Sequence, residues 1–224
     1  MNGTYHAHIF SSRAVNIIDA HSPSQGNTTP LFLYLAPQNV HLGCGNGIVG
    51  TAKPKFPIQA PCDSVDRFPL TKGDTFKAQS ANLLELDYVV GNVTSPLHRN
   101  GMWENTVIVF VSDNGGPLDH TTNAPLRGGK HTFWEGGLRV VGFVSGGAIP
   151  QSRRGSTYHG MLHSSDWLPT FATGIAGLAL PAGSTGPTSL DGKDAWQAIL
   201  QGSASPRTEV VHQVNKQFFD WRHS

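Results

Sequence analysis

The chain has 224 residues, 38% of them hydrophobic and 14% charged, which excludes a wholly disordered polypeptide and suits one large domain or two small ones. Its 16 Lys and Arg nearly balance 15 Asp and Glu without any basic block, so charge does not indicate a nucleic-acid or polyanion surface. The longest apolar runs, "LFLYLA" and "VIVFV", are far too short for a membrane span, and "MNGTYHAHIF" has no signal-peptide pattern.

The first predicted element is a helix over 8–20, where Ile9, Phe10, Ala14, Ile17 and Ile18 recur at helical spacing. The turn-rich "HSPSQGNTTP" follows, then "LFLYLA" (31–36), a short, continuously apolar strand. His41 stands at that strand's exit, though one histidine among 11 carries little weight by itself. Residues 43–77, rich in Gly, Pro and Lys, read as a long loop. Within it, Cys44 and Cys62 either close a disulfide or remain as two thiols.

A second helix is predicted over 78–101, with Leu83, Leu86, Val90 and Val93 on its apolar side and Gly101 as its stop. Residues 107–112 are apolar at nearly every position and read as a central strand buried on both faces. "LRVVGFVS" (138–145) reads as another strand. "SDWLPTFATGIAG" (165–177) reads as a helix capped by Ser165 or Asp166, with Pro169 in its first turn. His163 and Asp166 are read as structural, and "DGKDAWQAIL" begins a last helix. Strands alternating with helices predict an α/β sandwich with a mostly parallel or mixed sheet.

Two stretches carry candidate chemistry. In "VIVFVSDNGGP" a buried strand ends in Asp113 and Asn114, where open α/β sheets collect their ligand sites. A carboxylate beside an amide supplies two oxygens for a hard cation such as Ca²⁺, and the glycines allow a tight backbone turn. The same residue types also make ordinary turns. "NAPLRGGKHTFWEGG" lacks the spacing of a phosphate-binding loop, because Ala124 stands where glycine is needed and His131 where Ser or Thr is needed. It still presents Arg127 and Lys130 shortly after those oxygens. Three N-x-[ST] sequons, at Asn2, Asn27 and Asn92, are candidate glycosylation sites.

Taken in order, "TYHAHIFSSRAV", "PLFLYLAPQNVH", "NGMWENTVIVFVSDNGG", "PLRGGKHTFWEGGLRVVGFVS", "HSSDWLPT" and "LDGKDAW" resemble the later half of the arylsulfatase B-like branch of the type I sulfatases. The resemblance covers nearly the whole chain and is weakest across 43–77 and after "SPRTEVVH". It implies an alkaline-phosphatase-like α/β fold, one Ca²⁺ and hydrolysis of a sulfated glycan or an aryl sulfate ester. Position by position, it assigns Asp113 and Asn114 to the Ca²⁺ and Lys130 to the sulfate. His41 falls where a histidine touches the sulfate and protonates the leaving oxygen. It further implies a lysosomal or secreted parent protein, with residues 1–200 as an incomplete catalytic domain and 201–224 opening a C-terminal subdomain or tail.

Sulfatases use a formylglycine made from the Cys or Ser of a C-x-P-S-R signature. Cys44 leads "CGNGI" and Cys62 leads "CDSVD", so neither fits, and "HSPSQ" only mimics the pattern. The family's early pair of metal-binding aspartates is absent too. The resemblance therefore implies a truncated product that lacks the nucleophile half, binds Ca²⁺ weakly, turns over negligibly and is poorly stable. Two other readings stand beside it. One is a non-catalytic derivative that binds sulfated glycans or a sulfatase partner; the other is a phosphoester hydrolase of the same superfamily.

Overall fold

The structure, a computed structural model, describes residues 4–41, 60–69, 74–118, 121–180 and 190–212. Asn2, Cys44 and the side chain of Cys62 lie outside that description. The chain forms two compact units, Met1–Ala148 and Ile149–Ser224. Among the described residues no helix is long and apolar enough to cross a membrane.

The first unit is built on two helices, α1 (His6–Ala20) and α3 (Asp74–Arg99), with the short α2 (Cys62–Val65) packed on α3. The buried positions of α1 are Ala7, Ser11, Ala14 and Ile18, spaced by three or four residues as one face of a helix requires. Those of α3, Ala78, Ala81, Asn82, Glu85, Val89, Pro96 and Leu97, recur once or twice per turn and likewise fall on one face. Small residues on both faces let the two backbones approach closely. This is not the apolar face expected for the second helix, since Leu83 is 51% exposed. The buried stripe of α3 contains two polar members, Asn82 and Glu85, and both are paired. Tyr5 Oη donates to Asn82 Oδ1 at 2.7 Å, His8 Nε2 meets Glu85 Oε2 at 2.8 Å, and the Ser64 hydroxyl donates to Glu85. A hydrogen-bonded polar side chain can occupy a core position that an apolar template assigns to solvent.

Gly101 ends the second helix as expected. At φ +67° it takes the left-handed conformation, donating to the His98 carbonyl at 3.1 Å while Met102 donates to that of Leu97 at 2.8 Å.

Strands β1 (Ile108–Val111) and β2 (Gly142–Ser145) pair antiparallel with Phe110 opposite Phe143, their rings stacked at 4.9 Å. They form the one sheet among the described residues, so the expected mostly parallel sheet is not found there. β1 is half-buried rather than covered on both faces, and Val111 is 44% exposed. Where a strand is predicted over 31–36, the backbone belongs to no sheet among the described residues. Its side chains alternate as in extended backbone, with Phe32 and Tyr34 exposed and Leu35 packed on the Tyr5, Ala7 and Val89 core. Of the strand expected over 138–145, Leu138 closes a helical turn, α4 (Glu135–Leu138), and Gly142–Ser145 form the strand.

In the second unit the helix expected over 165–177 is a composite. A 3₁₀ turn (Ser164–Asp166) passes into α5 (Trp167–Pro169) and then into a π-helical turn (Thr170–Ile175). α6 (Trp196–Gln201) follows. Asp166 organises this unit, accepting from the His163 and Lys193 amides at 2.8 Å each and from Arg207 Nε and Nη2 at 2.7 Å each. The structural roles expected of His163 and Asp166 are what the unit displays.

Candidate functional site

β1 delivers its last residues into a glycine-rich crossing of two loops. Ser112, Asp113 and Asn114 leave the strand in a turn: the Ser112 hydroxyl donates to the Asn114 carbonyl at 3.0 Å, and the Asn114 amide to Asp113 Oδ1 at 2.8 Å. Asn114 Nδ2 donates to the Gly115 carbonyl at 3.1 Å, which leaves its amide oxygen as the donor atom available to a cation. Asp113 is exposed and Asn114 half-buried.

The second loop, from Asn123 to the start of α4, presses directly on the first. The Lys130 amide donates to the Gly116 carbonyl at 3.1 Å, and the Gly115 amide to that of Gly137 at 3.0 Å. The contact is so close that a β-carbon on Gly115 would lie 1.7 Å from the Gly136 carbonyl oxygen, and one on Gly129 would lie 2.4 Å from that of Gly116. Only glycine permits such backbone-to-backbone approach. Asn123 clamps the crossing: its Oδ1 accepts from the Gly116 amide at 2.8 Å, while its Nδ2 donates to the carbonyls of Gly116 at 2.8 Å and Gly128 at 3.2 Å. This residue was not singled out from sequence. Its only signal was an amide side chain, able to replace a backbone partner, beside glycine-rich segments.

On the same loop the Arg127 guanidinium stacks 3.8 Å from the Trp134 ring centroid, a cation–π contact across the loop. Lys130 is half-buried, and its Nζ reaches His41 Nε2 at 3.3 Å. An ammonium can only donate, so the imidazole is the acceptor of that contact. His41 itself sits in a turn in which its amide donates to the Gln38 carbonyl at 2.8 Å. Two of the four expected site residues thus meet side chain to side chain. The other two, Asp113 and Asn114, are joined to Lys130 through the backbone of the glycine crossing.

The oxygens of Asp113 and Asn114 suit a hard cation in kind. They are two donors, whereas Ca²⁺ takes about six to eight. Among the described residues no three His, Cys, Asp or Glu side chains gather to hold a metal. The shallow groove lined by Arg13, Asn16, Ile17, Ala20, His21 and Asn27 contains none of these site residues. Of the sequons, Asn92 is exposed on α3, and Asn27 lies in the loop after α1, where the Thr29 hydroxyl donates to its Oδ1 at 2.9 Å.

Comparison with known proteins identifies the family. The sulfatase family model matches residues 2–177. Arylsulfatase J of Mus musculus is 34% identical over 216 residues, an alignment covering 96% of this chain and 32% of the relative. Arylsulfatase A of Homo sapiens is 31% identical over 198 residues, covering 86% of this chain and 33% of the relative. The chain thus spans about a third of the length of these relatives. Among solved structures, that of Ps i-CgsB in complex with k-i-k-neocarrahexaose superposes with a TM-score of 0.72 at 30% identity, covering 90% of this chain and 40% of that one. The helices and the β1–β2 pair are accordingly a portion of the alkaline-phosphatase-like α/β fold, and the chain belongs to the sulfatase family.

Proposed function

We propose that this chain supplies the anion-binding and leaving-group side of a sulfuric ester hydrolase of arylsulfatase type, acting with Ca²⁺ on a sulfated glycan or an aryl sulfate ester. The observation that carries the reading is the 3.3 Å contact between Lys130 Nζ and His41 Nε2, which joins a cation and a proton-transfer group from distant parts of the chain. Hydrolysis breaks the bond between sulfur and the ester oxygen, and the electron pair stays on the departing oxygen. Lys130 sets its ammonium against the non-bridging sulfate oxygens as their charge develops. When the sulfate takes over the Lys130 ammonium, His41 Nε2 is released from that contact and can take up a proton from solvent, which it then hands to the departing oxygen so that this leaves as the alcohol. Asp113 and Asn114 would hold the Ca²⁺ together with donors outside this pair; when bound, the ion adds positive charge beside the sulfate.

Neither cysteine heads a C-x-P-S-R sequence, so these residues do not supply the covalent nucleophile, and the chain by itself is expected to be inactive. The test is twofold. Purified chain with Ca²⁺ and a chromogenic aryl sulfate should release no phenol, and calorimetric titration with sodium sulfate should show binding that Lys130→Met weakens about tenfold. Turnover would overturn the assignment of the nucleophile. Sulfate binding unchanged by both Lys130→Met and His41→Ala would overturn the pocket.

A second reading, a binding protein for sulfated oligosaccharides without turnover, is favoured by the missing signature and by the oligosaccharide in the Ps i-CgsB structure. For either reading we place the parent protein in the lysosome or outside the cell, supported by the sequons at Asn27 and Asn92.

A further inference from the structure

We infer that Asn39 is a positioning residue for His41, held by Tyr5 and Asn82; this rests on the pocket reading above and deepens it. Asn39 lies two residues before His41, inside the turn closed by the hydrogen bond from the His41 amide to the Gln38 carbonyl. Its Nδ2 reaches three acceptors: Tyr5 Oη at 3.0 Å, the Asn82 carbonyl at 3.1 Å and Asn82 Oδ1 at 2.6 Å. Tyr5 Oη in turn donates to Asn82 Oδ1 at 2.7 Å. Tyr5 and Asn82 are both buried, one at the head of α1 and the other in the middle of α3. The turn carrying His41 is therefore fastened to the packed helix pair, whereas Lys130 is fastened to β1 through the glycine crossing. Their separation follows from these two anchorages.

Two further observations support a positional role. The Tyr5 hydroxyl, pushed up to about 12 chiefly by burial with Asn39 opposing and Glu85 adding to the shift, donates to Asn82 while it accepts from Asn39. Asn39 also pairs with the His6 side chain, where it opposes the lowering of that histidine's pKa by burial, so its amide is engaged by α1 as well as by α3.

The experiment uses the 224-residue chain and follows the His41 ring resonances by NMR, assigned through their loss in His41→Gln. Lys130→Met should move these resonances in the otherwise unchanged chain. In Asn39→Ala the displacement should fall below about a third of that size while the helical circular dichroism is retained. Tyr5→Phe keeps the ring in the core and deletes only the hydroxyl, and it makes the same comparison should Asn39→Ala not fold. An equal displacement with and without Asn39 or the Tyr5 hydroxyl overturns the inference and leaves the pocket standing. No displacement in the otherwise unchanged chain overturns the pocket itself, and the inference with it.

Discussion

His41 and Lys130, 89 residues apart in sequence, meet at 3.3 Å between Nε2 and Nζ. Neighbours sharing one anion should not act independently on its binding. For sulfate titrated against Lys130→Met, His41→Ala and the double variant, we expect each single change to weaken binding by about 1–2 kcal/mol, with a coupling of about 0.5–1.5 kcal/mol. Raising the salt concentration should weaken binding to the parent chain more than to Lys130→Met, because the ammonium supplies the screened attraction. Additive effects would mean that the two side chains do not address the same anion.

The glycine crossing gives a second prediction. A β-carbon on Gly115 would stand 1.7 Å from the Gly136 carbonyl oxygen, and neither backbone can yield without breaking the hydrogen bond from the Gly115 amide to Gly137. Gly115→Ala should therefore cost about 1–3 kcal/mol in denaturant unfolding, the range of overpacked sites. It should also weaken sulfate binding, since Lys130 hangs on the adjacent carbonyl of Gly116. Gly91→Ala on α3, whose β-carbon would meet nothing within 4 Å, is the control and should be neutral or slightly stabilising.

What the sequence revealed follows the range of the forces involved. Helix α1 was legible because Ile17, Ile18 and their partners repeat at the spacing of one helical face, a local property. The end of α3 was legible because Gly101 meets a local backbone demand. The buried face of α3 was not, since Asn82 and Glu85 enter the core through partners about 77 residues away, Tyr5 and His8. Whether 31–36 forms a strand depends on an edge to pair with, which no run of apolar residues discloses. At the site, the oxygens at the end of β1 could be read from composition and position, but the meeting of His41 with Lys130 could not. Only the resemblance to sulfatases assigned both to one anion. Asn39, Tyr5 and Asn123 escaped notice because an amide or a phenol shows its role only once its partners are placed.

Tyr5 supplies a prediction at alkaline pH. Its hydroxyl is pushed from 10.0 to about 12, chiefly by burial. Between those values the unfolded chain has released the proton and the folded chain still holds it, so stability falls as pH rises through the interval. The loss amounts to about 2–3 kcal/mol at the upper end, at roughly 1.4 kcal/mol per pH unit. Tyr5→Phe should start less stable at neutral pH, having lost its hydrogen bonds, yet decline less between pH 10 and 12. Parallel stability curves for the two chains would show that the phenol titrates as it does in water.

Asp166 gives the opposite sign in the second unit. Burial raises its carboxyl, but Arg207 and the His163 and Lys193 amides outweigh that and hold it below its ordinary 3.8. The carboxylate is 1% exposed and its Arg207 partner 12%, so solvent screens the pair little. A depressed value means that the unfolded chain takes up the proton first as pH falls. The contribution is therefore fully present above about pH 4 and is lost below it, as pH falls through the folded value. Acid titration followed by Trp196 fluorescence, with the other four tryptophans replaced, should show the second unit loosening in that window, and Asp166→Asn should flatten the dependence. Arg207→Met should be harsher at neutral pH, costing about 3–5 kcal/mol, because it strands a buried carboxylate with two backbone amides as its remaining hydrogen-bond donors. Removing both charges with Asp166→Asn and Arg207→Met together should recover part of that loss, since the greater penalty lies in the unpaired charge. If the double variant were less stable than Arg207→Met alone, the carboxylate's bonds to the two amides, and not its pairing with Arg207, would be what holds the 3₁₀ turn against the segment leading into α6.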